Sequence, residues 1–249
     1  MINQSSLHPW IFMARPNLQS RLRLFCFAHA GGTASMYRPW LDALSPAVEV
    51  FPVQLPGHEN RLREQPLQQF DQLIRELAQA LRPLFTKPFA FFGHSMGALI
   101  SYGLTCYLRD QKSVLPTHLL VSAYRAPQLP NPEALHLLPD AELVQKLLSL
   151  NGTKPEVLEN PELRNIFLPL FRADFAICES YRYRNEEPLP CPISAFGGLQ
   201  DPRVKSVALG AWRERTSDRF TLQMLSGGHF YLQEQDTPLL SLISHELNV

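Results

Sequence analysis

A serine flanked by glycines is the clearest chemical signal in the sequence. Residues 93–97, Gly-His-Ser-Met-Gly, fit the G-x-S-x-G pattern of a nucleophile elbow, a sharp turn that exposes a serine hydroxyl between a strand and a helix. An apolar run (89–92) precedes this turn, and a run suited to a helix (98–102) follows it. Five residues alone can match by chance, but this context predicts that Ser95 is a nucleophile and not part of an ordinary glycine turn.

A serine hydroxyl needs a base to remove its proton, so a histidine and an orienting carboxylate should follow the elbow in the chain. His229 is the predicted base, because it follows an apolar run through Ser226-Gly227-Gly228 and the glycines leave room for an imidazole. A structural loop histidine is the alternative interpretation. Three other histidines follow Ser95 but lie at a strand start, in a helical segment and in the last helix: His118, His136 and His245.

Asp201 is the predicted carboxylate partner of the base. It follows the apolar run 193–196 through a Gly-Gly-Leu-Gln loop, which ends at the same predicted edge of the sheet as the histidine loop. Because Pro202 follows it, Asp201 is also a candidate cap of the next helix, and the two roles are compatible. Asp174 and Asp218 are weaker candidates, since the first lies in a helical segment and the second lies just before a strand.

Two backbone N–H groups are predicted to stabilise a negatively charged oxygen in the reaction. The first belongs to Met96, which opens the helix after the nucleophile and benefits from its dipole. The second belongs to Ala30, where the paired glycines of residues 27–32 (Phe-Ala-His-Ala-Gly-Gly) let a substrate carbonyl approach the backbone. His29 is expected to be structural or to line the pocket, and His94 to pack within the elbow without acting as a second base.

Apolar runs that alternate with amphipathic helices predict the scaffold for these residues. This alternation is typical of an α/β fold with a mainly parallel sheet covered on both faces. Apolar residues recur every three or four positions over 67–84, which predicts a helix packed on the sheet. The last helix is predicted to begin with Thr237 as N-cap and Pro238 in its first turn. The predicted strands cover residues 22–28, 48–54, 89–92, 118–122, 193–196 and 220–225.

Residues 125–184 break the alternation because they contain no convincing strand. One predicted helix has Asp140 as its cap and stops at Asn151-Gly152; a second begins near Asn160-Pro161 and kinks at Pro169. A helical insertion of this length, over the edge where strands end, predicts a lid; an extra packing layer is the alternative. The predicted organisation is a core of residues 1–124 and 185–249 with a lid insertion of residues 125–184.

The composition is that of an ordinary globular domain and not of a disordered chain. Of the 249 residues, 45% are hydrophobic and 18% charged, and 23 basic residues balance 23 acidic ones. This balance argues against non-specific binding to nucleic acid or anionic membranes. The first twenty residues hold no uninterrupted apolar stretch that could form a secretory signal or a membrane span. The four cysteines form no CxxC pair, so we expect no metal or redox motif. Their apolar neighbours indicate buried thiols in a reducing compartment, so we expect a cytoplasmic location.

The motifs together resemble those of the type II thioesterases, the stand-alone editing enzymes of non-ribosomal peptide and polyketide assembly lines. The sequence is also similar to the related thioesterase that releases medium-chain acyl groups from fatty acid synthase. The chain departs from the family at Ala28, where proline is usual, and at His58, where arginine is frequent. The resemblance runs nearly end to end and rests on residues 26–32 (CFAHAGG), 54–61 (QLPGHENR), 91–97 (FFGHSMG), 151–155 (NGTKP), 172–175 (RADF) and 227–230 (GGHF).

The resemblance implies an α/β-hydrolase fold with a triad of Ser95, Asp201 and His229 and with Ala30 and Met96 as oxyanion donors. The implied enzyme is a serine thioesterase that removes acyl groups from the phosphopantetheine arm of carrier proteins through an acyl-enzyme. It implies acyl or peptidyl carrier domains and small acyl thioesters as partners, with no nucleic acid, membrane, metal or diffusible cofactor; we expect a monomer.

Three other functions remain open at this point. One is the medium-chain acyl thioesterase of fatty acid synthesis, and another is a general carboxylesterase or lipase that acts on oxygen esters. The triad alone does not separate these enzymes from an editing thioesterase. An inactive scaffold that binds carrier proteins is the least favoured alternative, because the serine, the aspartate and the histidine are all present.

Overall fold

The computed structural model describes residues 8–15, 17–131, 133–234 and 238–249. Within them, six strands pair in parallel into one sheet of order β2-β1-β3-β4-β5-β6. All six predicted strands are present, with ends that differ by no more than two residues. The strands are β1 Leu22–Phe27, β2 Val48–Pro52, β3 Phe89–His94, β4 His118–Ser122, β5 Ile193–Gly198 and β6 Phe220–Leu225.

Helices cover both faces of the sheet, which explains why its inner strands have continuous apolar runs. Strands β3, β4 and β5 are buried at every residue, whereas the edge strand β6 is mostly half-buried. The helices of the described residues are α1 Trp40–Ala43, α2 Phe70–Leu81, α3 Met96–Asp110, α4 Asp140–Leu150, α5 Pro155–Glu159, α6 Pro161–Ser180, α7 Ser206–Gly210 and α8 Leu239–Glu246. Short 3-10 turns lie at Ala34–Tyr37, Glu59–Arg61, Arg82–Leu84, Leu135–Leu137, Ala211–Arg215 and Tyr231–Gln233.

Neighbouring residues of one strand contribute to opposite halves of the core. Phe25 of β1 packs in the cluster that contains α2 and α3, whereas Leu24 packs in the cluster that contains α1 and α8. Helix α2 confirms the predicted periodicity, because its apolar positions are buried. Pro238, predicted in the first turn of the last helix, is instead the N-cap residue of α8, which begins at Leu239. The predicted cap Thr237 lies outside the described residues.

The segment between β4 and β5 is helical, as predicted. Helix α4 ends at Asn151, which adopts the left-handed conformation, and the side chain of Asn160 caps α6 by accepting hydrogen bonds from two backbone N–H groups. Asp140 is the first residue of α4 and does not cap it, since Pro139 holds the cap position. Helix α6 continues through Pro169, and the short helix α5 was not predicted.

This helical segment has a small apolar core of its own. Its buried members include Leu135, Leu143, Leu147, Leu158, Leu168, Phe171 and Phe175. Movement of the segment as a lid stays a prediction. No helix in the described ranges combines the length and the apolar character needed to cross a bilayer.

Candidate active site

Ser95 lies in a strained turn between β3 and α3. Its φ of 53° and ψ of −118° place a non-glycine residue in an unfavourable backbone region. The flanking glycines are required by close packing: a Cβ on Gly93 would lie 2.1 Å from the carbonyl oxygen of Gly97, and a Cβ on Gly97 would lie 2.1 Å from that of Phe27. The G-x-S-x-G pattern therefore forms a sharp turn packed directly against the end of β1, which is the geometry expected of a nucleophile elbow.

The structure brings the three predicted side chains together at the carboxyl edge of the sheet. The Oγ of Ser95 lies 3.1 Å from Nε2 of His229, whose Nδ1 lies 2.7 Å from Oδ2 of Asp201. All three residues are buried. An ionised carboxylate only accepts hydrogen bonds, so Nδ1 of His229 donates and Nε2 is left to accept the serine proton.

The second oxygen of Asp201 is held by the backbone. Its Oδ1 accepts hydrogen bonds from the N–H groups of Arg203 at 2.7 Å and Val204 at 3.2 Å. Burial alone would raise the pKa of Asp201, but the hydrogen bonds from His229 and from these N–H groups bring it below its usual value. The predicted helix-capping role is wrong, because α7 begins at Ser206. The N–H groups that donate to Asp201 belong to the loop before this helix.

The other carboxylates and histidines considered as triad members have different partners. Asp174 contacts a different histidine, and Asp218 is exposed and accepts a hydrogen bond from the N–H of Arg219. Neither reaches His229. His118 pairs with the hydroxyl of Ser194, His136 pairs with Glu179, and His245 belongs to α8.

Two further imidazoles lie close to His229 and are kept neutral by burial. His94 is fully buried, and its Nδ1 lies 2.8 Å from the Oγ of Ser122; burial brings its pKa well below the usual value. His29 lines the cavity beside Ser95, and burial lowers its pKa to about 4. These positions agree with the prediction that His29 lines the pocket and that His94 packs within the elbow. Because they stay uncharged at neutral pH, they add no cation that would oppose protonation of His229.

The two predicted backbone donors border one cavity together with Ser95. Ala30 follows β1, Met96 opens the fifteen-residue helix α3, and both line the cavity that contains Ser95. Within the described part of the chain, neither N–H donates to a protein acceptor. A helix N-terminus also favours negative charge at this point. The arrangement can therefore accept an anionic oxygen beside Ser95.

Side chains from the helical segment form walls around Ser95. One cavity at Ser95 is lined mainly by apolar side chains: Leu147, Leu150, Phe171, Phe175 and Phe230. The cavity that holds both backbone donors is more polar and contains Tyr124, Arg125, Asn131, Glu133, Glu179 and Arg203. Gly152 packs against the ring of Phe230, since a Cβ there would lie 2.2 Å from it. Groups of different polarity can therefore lie on the two sides of the serine.

Sequence reasoning missed one buried contact in this region. Oδ2 of Asp174, in α6, accepts a hydrogen bond from the N–H of Gly31 at 2.6 Å and lies 3.0 Å from Nε2 of His58. In the sequence, Asp174 is a weaker triad candidate and part of the 172–175 motif, whereas His58 is a departure from the family pattern. The two positions belong to separate motifs, so the sequence held no signal that they pair. Within the described residues, no cluster of three or more His, Cys, Asp or Glu side chains could hold a metal ion.

Known proteins resemble the chain over almost its whole length. The sequence model of the family described as "Thioesterase domain" matches residues 22–247. Linear gramicidin dehydrogenase LgrE of Brevibacillus parabrevis is 46% identical over 242 residues, which cover 96% of this chain and 92% of that protein. Gramicidin S biosynthesis protein GrsT of Aneurinibacillus migulanus is 44% identical over 246 residues, with coverage of 98% and 96%. Among solved structures, the type II thioesterase BorB from the borrelidin biosynthetic cluster gives a TM-score of 0.86 at 41% identity, with coverage of 96% and 97%.

Proposed function

The chain belongs to the thioesterase domain family, as a type II thioesterase of non-ribosomal peptide and polyketide clusters, and from this premise we propose its substrate and its catalytic residues. It hydrolyses acyl groups from the phosphopantetheine arm of carrier proteins, with Ser95 as nucleophile, His229 as base and Asp201 as the orienting carboxylate. The observation that carries this assignment is the unbroken contact from Ser95 Oγ to His229 and on to Asp201. One relative is named a dehydrogenase, and that activity is not extended to this chain.

The first half of the reaction forms an acyl-enzyme. Nε2 of His229 takes the proton of Ser95 as Oγ attacks the thioester carbonyl carbon. The negative charge that develops on the carbonyl oxygen is stabilised by the N–H groups of Ala30 and Met96. When the carbon–sulfur bond breaks, the pantetheine sulfur leaves and takes the proton from His229, which leaves the acyl group on Ser95 as an oxygen ester.

The second half returns the enzyme to its starting state. A water molecule gives one proton to His229 while its oxygen attacks the ester carbonyl. The same two N–H groups stabilise the oxyanion, and the bond to Ser95 breaks as its Oγ regains a proton from His229. The product is a free acid. Throughout both halves, Asp201 holds the Nδ1–H tautomer and stabilises the imidazolium that forms.

Several features of the chain support a carrier-bound substrate. A cleft between the end of α4 and the loops after β5 and β6 reaches His229, and its lining includes Asn151, Pro202 and Phe230. We propose that the pantetheine arm lies in this cleft while the acyl group occupies the apolar cavity under the helical segment. The proposed mechanism needs catalytic groups from one chain only, and a monomer stays our expectation. All four cysteines are free thiols, which supports a cytoplasmic location.

Intact-protein mass spectrometry of acylated carrier proteins tests the proposal. The wild type should remove the acyl mass, and Ser95→Ala should not. Ser101→Ala is a matched control, because Ser101 lies in α3 and its hydroxyl only donates to the carbonyl of Ala98. Equal deacylation by the wild type and Ser95→Ala would show that the mechanism is wrong. Faster turnover of aryl and glyceryl esters than of the carrier-bound thioester would instead favour a general carboxylesterase.

A further inference from the structure

A buried histidine–aspartate pair joins three segments next to the catalytic relay. His58 follows β2 and precedes the turn Glu59–Arg61, Asp174 lies in α6, and Gly31 lies in the loop after β1. Nε2 of His58 and the N–H of Gly31 both contact Oδ2 of Asp174, at 3.0 and 2.6 Å. His58 is 2% exposed and Asp174 is 1% exposed. The pair is therefore shielded from solvent and has to satisfy its charges internally.

The neighbours of His58 determine its protonation. Its Nδ1 lies 3.0 Å from the carbonyl oxygen of Pro56, which can only accept, so Nδ1 carries a hydrogen. Its Nε2 faces a carboxylate oxygen that already accepts the Gly31 N–H, so a proton must lie between Nε2 and Asp174. Burial lowers the pKa of His58, but the adjacent Asp174 carboxylate outweighs burial, and the pKa is raised overall. An imidazolium paired with a carboxylate fits all of these contacts.

Helix α6 holds the loop after β1 through two side chains on one helical face. Asp174 bonds the Gly31 N–H, and Phe171, three residues earlier, covers Gly31 so closely that a Cβ there would lie 2.0 Å from its ring. Gly31 has a φ of +76°, a conformation that glycine adopts readily. The peptide group held by Asp174 is bonded directly to Ala30, whose N–H is the proposed oxyanion donor.

We propose that Asp174 and His58 are positioning residues for the oxyanion hole: the imidazolium holds the carboxylate, the carboxylate holds the Gly31 N–H, and the Ala30 N–H is thereby aimed at the thioester oxygen. This inference rests on the proposed function. Oxyanion donors stabilise charge only when they point at the oxygen before the reaction starts. Neither residue touches the reacting atoms. Because they act through the orientation of a donor that stabilises the transition state, their effect is on kcat.

The charged and titratable groups around the pair leave His58 as the cation that balances Asp174. On its own turn His58 faces Arg61, whose guanidinium lowers the pKa of His58 and is itself bonded to the carbonyl of Gln54 and to Glu64. From the loop after β1 it faces His29, whose pKa burial lowers to about 4. From α6, Cys178 lies near Asp174, and burial raises the pKa of its thiol to about 12. His29 and Cys178 are therefore neutral at neutral pH.

The raised pKa of His58 fixes the direction of the pH effect. A histidine whose pKa is higher in the folded protein than in the unfolded chain contributes its full stabilisation below the unfolded pKa, and this contribution is lost as the pH rises through the folded pKa. The neutral imidazole then faces an unbalanced buried carboxylate. The hold on the Gly31 N–H weakens, so kcat should fall on the alkaline side while KM changes little.

Two substitutions at position 58 test the proposal without removing the carboxylate. His58→Arg keeps a permanent cation, whereas His58→Gln keeps a donor but no charge. His118→Gln is the matched control, since His118 is also a buried histidine but pairs with Ser194 away from the site. Purified enzymes are compared by kcat and KM for a carrier-bound acyl thioester across neutral and alkaline pH, with thermal unfolding as a check of folding.

The expected pattern separates positioning from simple stability. His58→Arg should retain kcat at neutral pH and lose the alkaline decline, and His58→Gln should lose about tenfold to a hundredfold in kcat with KM nearly unchanged; loss of a whole oxyanion donor costs about 10²–10³-fold. His118→Gln should keep the wild-type profile. The inference is overturned if His58→Arg and His58→Gln share one pH profile and one kcat.

Asp174→Asn provides an independent comparison, because it keeps the shape of the side chain but removes its charge. It should reduce kcat, and combining it with His58→Arg should not restore activity. Unchanged kcat in Asp174→Asn would also overturn the inference. Failure of the proposed function itself is distinguishable, since in that case Ser95→Ala would retain deacylation whatever position 58 or 174 contains.

Discussion

Replacing Asp201 by asparagine should inactivate the enzyme by reversing the tautomer of His229. In the wild type, Oδ1 of Asp201 accepts two backbone N–H groups and Oδ2 faces Nδ1 of His229 at 2.7 Å. The amide oxygen of an asparagine would occupy the position of Oδ1, because only an acceptor can bond to the two backbone N–H donors there. Its NH2 would then donate to Nδ1, so Nε2 would carry the hydrogen and could not accept the proton of Ser95.

The contacts of Asp201 give the size of this effect. The opposite amide orientation loses two backbone hydrogen bonds, worth about 1–1.5 kcal/mol each, so the inactive orientation is favoured by about 2–3 kcal/mol. Loss of the negative charge beside the imidazolium removes a further 1–2 kcal/mol or so, the difference between a charged and a neutral hydrogen bond. A total of about 4 kcal/mol corresponds to a loss of about 10³-fold in kcat.

Single-turnover deacylation of an acylated carrier protein measures this loss. Asp218→Asn is the matched control, because Asp218 is exposed and lies away from the relay. Asp201→Ala offers no amide donor to Nδ1, so a variant of this kind that still folds should retain more activity than Asp201→Asn. If Asp201→Asn loses less than about tenfold in kcat, or less than Asp201→Ala, the tautomer argument is wrong.

Two further substitutions test how the helical segment supports the site. Gly31→Ala should reduce kcat and stability together, because the positive φ and the 2.0 Å approach of Phe171 leave no room for a methyl group. Steady-state kinetics and thermal unfolding measure both effects. Gly210→Ala is the control and should change both little, because a Cβ there would have no heavy atom within 4 Å. Leu143→Ala should lower the free energy of unfolding by about 2–5 kcal/mol, since the side chain is fully buried in the segment's core. Leu137→Ala is the control in urea unfolding, because Leu137 is exposed. Equal losses of unfolding free energy in the two variants would contradict the packing argument.

The sheet and the relay could be predicted because their signals are local and strong. Buried parallel strands need continuous apolar runs, and the elbow at Ser95 needs its glycines, so both leave a pattern in a few consecutive residues. The order of elements along the chain then placed His229 and Asp201 after the correct strands. Helix ends leave a weaker pattern, as Asp140 shows, because neighbouring residues compete for the cap position.

The contact between His58 and Asp174 could not be predicted from the sequence in the same way. Its partners are 116 positions apart, and each lies in a segment whose local pattern has another explanation. Periodicity shows that a side chain of α6 faces inward, but not which loop it meets. An inward aspartate in an amphipathic helix requires some buried partner, and the identity of that partner depends on how the helical segment packs on the core.

The loops that carry Asp201 and His229 are joined by backbone contacts before their side chains meet. The N–H of Leu199 donates to the carbonyl of Leu225 at 2.7 Å, and a Cβ on Gly198 would lie 2.2 Å from the carbonyl oxygen of Gly228. Strand pairing of β5 and β6 thus continues into the loops, which holds the carboxylate and the imidazole in register.

The oxyanion side of the site is supported differently. Its loop, after β1, is held by Asp174 and Phe171 of α6, which belongs to the same segment that lines the apolar cavity. In the proposed mechanism, activation of Ser95 therefore depends on the core, whereas alignment of the Ala30 N–H depends on the segment that contacts the acyl group. A poorly fitting acyl group that displaces α6 would then lower the rate of the chemical step as well as the affinity. Selectivity of this kind appears in kcat, since interactions that are realised only in the transition state raise kcat.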